Sequence, residues 1–348
     1  MRSIRLRLAI LAALVAAAVA MVGAQPQDDA FKFKSGVELV NVTATVSDDN
    51  GHFVTGLTKD DFTVSEDGQP QEIAQFSNER VPVSLGILLD TSGSMTPEKM
   101  SAARNAIDRF IYDLLGKDDE LFFMQFASVP DLLQGWTYDR RAISRAVSQV
   151  TAAGGTAMYD AIADALPIAA DGRNQKKAIL VISDGNDTNS RTSVTQLRNM
   201  IRESEVMVYA LGVDGNDVQT YSPQPRQPNG PRFPIPIPRG GRGRWPGFPM
   251  APQIGFPPIG GGWGRSGNEH VNENALRAIT DDTGGRTEIV RGFADLGNAT
   301  QRLADELSQQ YYIGYNNGGK KDGKWHTIKV DIRNRHYTVR ARKGYVAS

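Results

Sequence analysis

Between residues 37 and 76, apolar and polar positions alternate in "VELVNVTATV", "DFTVSEDG" and "QEIAQF", with "DDNG" and "EDGQ" between them. Period-two alternation bounded by Asp, Asn and Gly predicts short antiparallel strands with turns. We read a small β module of about four strands over 30–80. From Val81 the pattern changes. "VSLGILLD" is a continuous apolar strand, and Ala103, Ile107, Phe110, Ile111 and Leu114 then recur at helical spacing. "ELFFMQFA", "DLLQGWTYD", "KAILVISDG", "VMVYALGV" and "RTEIV" read as further strands. "RAISRAVSQV", "AMYDAIADALPIAA", "SVTQLRNMIRES", "NENALRAITDDTGG" and "FADLGNATQRLADELSQQ" read as helices among them.

Buried-type strands alternating with amphipathic helices place 81–310 in the α/β class, as a doubly wound, mostly parallel sheet with helices on both faces. Ligands of such sheets bind at the carboxyl ends of the strands. One interruption, 215–267, holds twelve of the 18 prolines between Pro223 and Pro258. Proline donates no backbone hydrogen bond, so the segment reads as an extended insertion, with its arginines and Trp245, Phe248 and Trp263 as a candidate recognition surface. The tail, 311–348, returns to alternation, with Tyr311, Ile313 and Tyr315 on one face and Ile328, Val330 and Ile332 on another. Two β segments at opposite ends of the chain can each bury a face by packing together.

The first residues change the compartment. Arg2, Arg5 and Arg7 precede an apolar run from Leu8 to Val22, and Val22 and Ala24 are small residues before Gln25. This is the plan of a secretory signal over 1–24, and it places the protein outside the cytoplasm, periplasmic or extracellular. If the segment is not cleaved, it becomes a membrane anchor, although the run is short of the ~20 residues that span a bilayer. There is no cysteine, which removes disulfides, thiol catalysis and thiolate metal sites together. Lys plus Arg equals Asp plus Glu at 39 each, so no overall field draws the chain to nucleic acid.

Candidate chemistry begins with "DTSGSM", directly after the first α/β strand. Asp90, Ser92 and Ser94 share the i, i+2, i+4 spacing, which on a tight loop brings three oxygens toward one point, as a hard cation requires. The same residues also suit a strand-end turn with a helix cap. Two further oxygens decide between these. Thr156 follows a paired glycine in "GGTAMYDAI", and Asp184 ends a central strand in "VISDG", as Asp90 ends the first.

This set resembles the von Willebrand factor A domain and its metal-ion-dependent adhesion site. "DTSGS" fits the Asp-x-Ser-x-Ser motif, Thr156 the threonine loop and "SDGND" the aspartate loop. The flanks "VTGLTKDDFTVSEDGQPQEIAQFS" and "YYIGYN" to "RARKGY" are similar to exported proteins of this type from acidobacteria. The resemblance implies a Rossmann-like fold and an Mg²⁺ ion, with Mn²⁺ or Ca²⁺ as alternatives, held by the serines and threonine directly and by Asp90 and Asp184 through water. It also implies an open coordination position for an acidic side chain of a protein partner. Ser183, where the family often has Thr, is a mild departure expected to leave the ligand set untouched.

An enzyme needs a nucleophile, a base and an orienter. His52, His270, His326 and His336 are scattered, and no G-x-S-x-G elbow or phosphate-binding lysine motif accompanies "DTSGS". Export also makes nucleic acid a poor partner for "RGGRGRWPG". The sequence therefore points to a non-enzymatic adhesion or scaffold protein. The alternatives are an envelope structural protein that binds through its β segments or the proline-rich insertion, with the metal only stabilising it, and a hydrolase.

Overall fold

The computed structural model describes residues 39–184, 186–213, 272–334 and 336–347. The signal segment and the proline-rich insertion read from the sequence lie outside these residues. In chain order the strands before the α/β domain are β1 (Leu39–Ser47), β2 (Phe62–Glu66), β3 (Gln69–Gln71) and β4 (Ile73–Ser77). The domain runs β5 (Val83–Asp90), α1 (Pro97–Arg109), β6 (Glu120–Phe126), β7 (Pro130–Thr137), α2 (Arg140–Gln149), α3 (Met158–Ala170), β8 (Lys176–Ser183), α4 (Val194–Glu203), β9 (Met207–Val213), α5 (Glu273–Thr280), β10 (Thr287–Val290) and α6 (Phe293–Ser308). β11 (Tyr311–Asn316), β12 (Trp325–Ile332), β13 (Thr338–Ala341) and β14 (Gly344–Val346) follow.

The central sheet has the order β10-β9-β8-β5-β6-β7. All neighbours are parallel except β6 and β7, so β7 is an antiparallel edge. Every residue of β5 is buried, because helices cover both faces. Leu85, Ile87 and Leu89 face Ala103, Ile107, Ile143 and Leu303 on one side, and Leu88 joins Ile162, Leu166, Leu197 and Leu276 on the other. Thus α1, α2 and α6 cover one face and α3, α4 and α5 the other.

Gly86 interrupts the apolar run of β5 for a packing reason. A Cβ there would lie 2.1 Å from the ring of Phe122 on β6, which is itself set edge-on against Trp136 at 4.8 Å. Gly86→Ala is expected to destabilise the protein by about 3 kcal/mol through overpacking, measured by urea unfolding. An unchanged midpoint would mean that Phe122 has room to move.

The β segments at the two ends do not form separate modules. One four-stranded sheet has the order β13-β1-β11-β4 and the other β14-β12-β2-β3, so strands from both ends of the chain are neighbours in each. All of their pairings are antiparallel. Val42, Ile313, Tyr315, Val64 and Ile328 fill the core between the two sheets. The last stretch forms two short strands, β13 and β14, with a corner between them. There Lys343 N–H donates to the Asp282 carbonyl at 3.1 Å. Gly284, at φ +81°, lies so close that its Cβ would meet Ala341 backbone at 2.7 Å.

Candidate metal centre

Asp90 and Ser183 are the last residues of two adjacent parallel strands, so the register that pairs Leu89 with Ile182 also sets their side chains together. Asp90 is fully buried. Its Oδ1 accepts the Ser92 N–H at 2.8 Å and its Oδ2 accepts the Ser183 hydroxyl at 2.6 Å. The first of these bonds folds the chain back after the strand and turns Ser92 and Ser94 to the same side, where their hydroxyl oxygens are 2.9 Å apart. Ser92 is buried and Ser94 exposed, which leaves one open side. Thr96 then caps α1, accepting the Lys99 N–H at 3.4 Å, with Pro97 in the first turn. The positive end of that helix dipole therefore adjoins the loop.

Two other loops are tied to this one through the backbone. Gly93 N–H donates to Gly154 O at 3.0 Å, and Ala153 N–H to Thr91 O at 2.8 Å, which fixes the loop that carries Thr156. The paired glycine before Thr156 is required twice over. Gly154 has φ +84°, and a Cβ on Gly155 would lie 2.3 Å from Asn189 Oδ1. Thr188 and Asn189 N–H both donate to Thr156 O, at 2.8 and 2.9 Å, and so join the threonine loop to the one that follows Asp184. Thr156 and Asp184 are buried.

Several residues of this edge escape sequence reasoning. The helix α3 has no side-chain cap of its own. Its first amides are met instead from the aspartate loop, Tyr159 N–H by Asp187 Oδ2 at 2.9 Å and Asp160 N–H by Ser190 Oγ at 3.0 Å. Thr188 Oγ1 accepts the Thr156 N–H, and Ser128 Oγ the Gly155 N–H, both at 3.0 Å. The polar run "NDTNS" is the visible signal, but nothing in it says which helix it caps. Ser183 supports this edge directly, since its hydroxyl holds Asp90, a bond that either Ser or Thr can make.

Burial pushes the Asp90 carboxyl up to about 6; the Ser183 and Ser92 bonds act against this, and the Asp184 charge acts with it. Among the described residues no Lys or Arg pairs with Asp90. A buried carboxylate without a cationic partner is costly, and a cation beside it removes that cost. Neighbouring corners of an Mg²⁺ octahedron are about 3 Å apart for bonds of about 2.1 Å, so the Ser92 and Ser94 oxygens fit two of them. The donor set fits a divalent cation. A separate trio able to share an ion among the described residues, Glu66, Asp67 and His326, lies far off in the small sheets.

Residues 85–186 match the von Willebrand factor type A domain model. The matched segment carries Asp90, Ser92, Ser94, Thr156 and Asp184. No curated protein matches the sequence. Among solved structures, a conserved hypothetical protein, BatB, from Bacteroides thetaiotaomicron is 21% identical, with 65% of this chain and 97% of that one covered and a TM-score of 0.44. A von Willebrand factor type A protein from Catenulispora acidiphila is 16% identical, with 91% and 65% covered and a TM-score of 0.47. The von Willebrand domain of the type V pilus tip protein Mfa5 from Porphyromonas gingivalis is 12% identical, with 65% and 95% covered and a TM-score of 0.42. A-type domains commonly bind a divalent metal and mediate protein–protein interaction. No helix among the described residues is long and apolar enough to cross a membrane.

Proposed function

We propose that this is an exported, non-enzymatic binding protein whose A-type domain holds a protein partner through a divalent cation at the Asp90 edge. The observation that carries the reading is the junction of three loops at one sheet edge. It sets two serine hydroxyls 2.9 Å apart beside a buried carboxylate that pairs with no Lys or Arg among the described residues. Ser92, Ser94 and Thr156 would bind the ion directly, and Asp90 and Asp184 would hold its waters. When bound, the ion supplies an open coordination position that an acidic side chain of the partner can fill. An oxygen-only donor set with neutral hydroxyls favours Mg²⁺, with Mn²⁺ or Ca²⁺ as substitutes. Export rests on the arginine-flanked apolar N-terminus.

The test is capture of partners from an envelope extract of the source organism by the mature protein, with Mg²⁺ and with EDTA, beside Asp184→Ala. A protein retained only by the wild type and only with Mg²⁺ is the expected result. Retention indifferent to both changes would move binding to the small sheets or the proline-rich insertion.

A further inference from the structure

A second concentration of titratable groups surrounds His326 on β12. The ring is buried, and both of its nitrogens face carboxylates. Nδ1 is 2.7 Å from Asp67 Oδ2, and Nε2 is 3.1 Å from Asp322 Oδ1. A neutral imidazole has one N–H, so both contacts are hydrogen bonds only when the ring carries two protons. Each neighbouring element contributes charge or a titratable group. From β2, Glu66 Oε1 lies 3.7 Å from Nδ1 and accepts the Lys320 ammonium at 2.6 Å. Glu66 Oε2 accepts the hydroxyls of Tyr315 on β11 and Tyr345 on β14, at 2.8 and 3.2 Å. Arg342 lies over the Tyr345 ring. With both Glu66 oxygens hydrogen-bonded and Lys320 supplying charge, the trio Glu66, Asp67 and His326 is already joined as an ion-pair network.

We propose that His326 is a pH-sensitive latch: protonated, it fastens the 317–324 loop to β12 through Asp322, and on losing its proton it releases that loop. The two carboxylates are not equivalent. Asp67 is fixed independently, because its Oδ1 accepts both the N–H and the hydroxyl of Thr327, at 2.9 and 3.1 Å. Asp322 is an exposed side chain on the loop, and its other bond, accepting the Lys324 N–H at 3.0 Å, lies within that loop. A neutral ring therefore keeps its proton on Nδ1 toward Asp67 and turns the Nε2 lone pair toward the Asp322 carboxylate, which repels it. The loop has backbone freedom to respond, since Gly318, Gly319 and Gly323 all sit at positive φ. Its Asn317 and Lys320 line a cleft of about 200 Å³ with Leu39, Glu203 and Tyr345, and they keep their own bonds to Tyr345 and Glu66.

The hydrogen bond to the Asp67 carboxylate raises the His326 pKa, and the one to Asp322 adds to it. The folded value is thus above the unfolded one. Stability from this group is fully present below the ordinary histidine range and is lost as pH rises through the raised value.

The test is hydrogen exchange at Gly323, whose N–H donates to Ala347 O at 2.8 Å, corrected for the pH dependence of intrinsic exchange. Protection in the wild type is expected to fall about tenfold between about pH 6 and about pH 9, the size of one lost charge-assisted bond. Asp322→Asn, on an exposed loop residue, should show the same protection at both ends, because an amide can bond either form of the ring. Wild-type protection that does not change with pH would overturn the latch. So would a fall that persists unchanged in Asp322→Asn.

Discussion

Replacing Asp90 with Asn is expected to give a protein that is more stable than wild type in EDTA and is no longer stabilised by Mg²⁺. Asn fits the same two bonds, with its oxygen accepting the Ser92 N–H and its amide donating to Ser183 Oγ, so the strand end keeps its shape. What disappears is the buried charge. The folded carboxyl sits at about 6 instead of 3.8. A raised acid stabilises the fold fully below its unfolded value, and this stability is lost as pH rises through about 6. Near neutrality the ionised Asp90 therefore costs about 3 kcal/mol in the metal-free protein, at roughly 1.4 kcal/mol per unit. Asn removes that cost, and the variant should melt several degrees higher in EDTA. Wild type should gain about 2.7 kcal/mol at a hundredfold excess of Mg²⁺ over its Kd, and the variant nothing. Thermal scans across an Mg²⁺ titration measure both. A variant that still gains stability with Mg²⁺ would place the cation elsewhere.

Ser183→Ala should weaken Mg²⁺ binding by about 10- to 100-fold, the range for losing a side chain that orients a ligand, while the fold survives. Ser183 would not touch the ion; it is a positioning residue that holds Asp90 Oδ2 at 2.6 Å. Removal leaves Asp90 free to turn about its remaining bond to the Ser92 N–H. Ser183→Thr retains the hydroxyl and should bind like wild type, which separates a lost bond from a general disturbance of β8. Titration calorimetry of the three proteins decides this. Equal affinity in Ser183→Ala would show that the Ser92 N–H alone fixes the carboxylate.

The residues offered to the cation were legible in the sequence because each belongs to a local pattern. Asp90, Ser92 and Ser94 alternate after an apolar strand, Thr156 follows paired glycines, and Asp184 ends another apolar strand. The supports were not legible. Ser183 reads as an ordinary strand residue until β8 is placed beside β5, and Asp187 and Ser190 cap a helix that begins some thirty residues before them. Such bonds follow from tertiary placement and leave no periodic trace. The helices and strands of 81–310 were legible for the opposite reason, since a sheet covered on both faces imprints continuous apolar runs. The small sheets were recognisable as β structure, but their partners were not. Alternation sets a strand's buried face and says nothing of a neighbour more than two hundred residues away, as for Val42 beside Ile313.

That interleaving dictates an order of assembly. During synthesis β1 and β4 emerge before their pairing partner β11, which follows the whole α/β domain, and β2 waits longer still for β12. Within 39–77 the one ladder that can close early is the short hairpin of β2 and β3. The α/β domain, by contrast, has all six strands of its sheet between residues 83 and 290. It can therefore fold while the nascent N-terminal strands still lack their partners, and the last few dozen residues of the chain then close the sandwich. A chain that stops short of β11 would present the bare edges of β1 and β4 to proteases and chaperones.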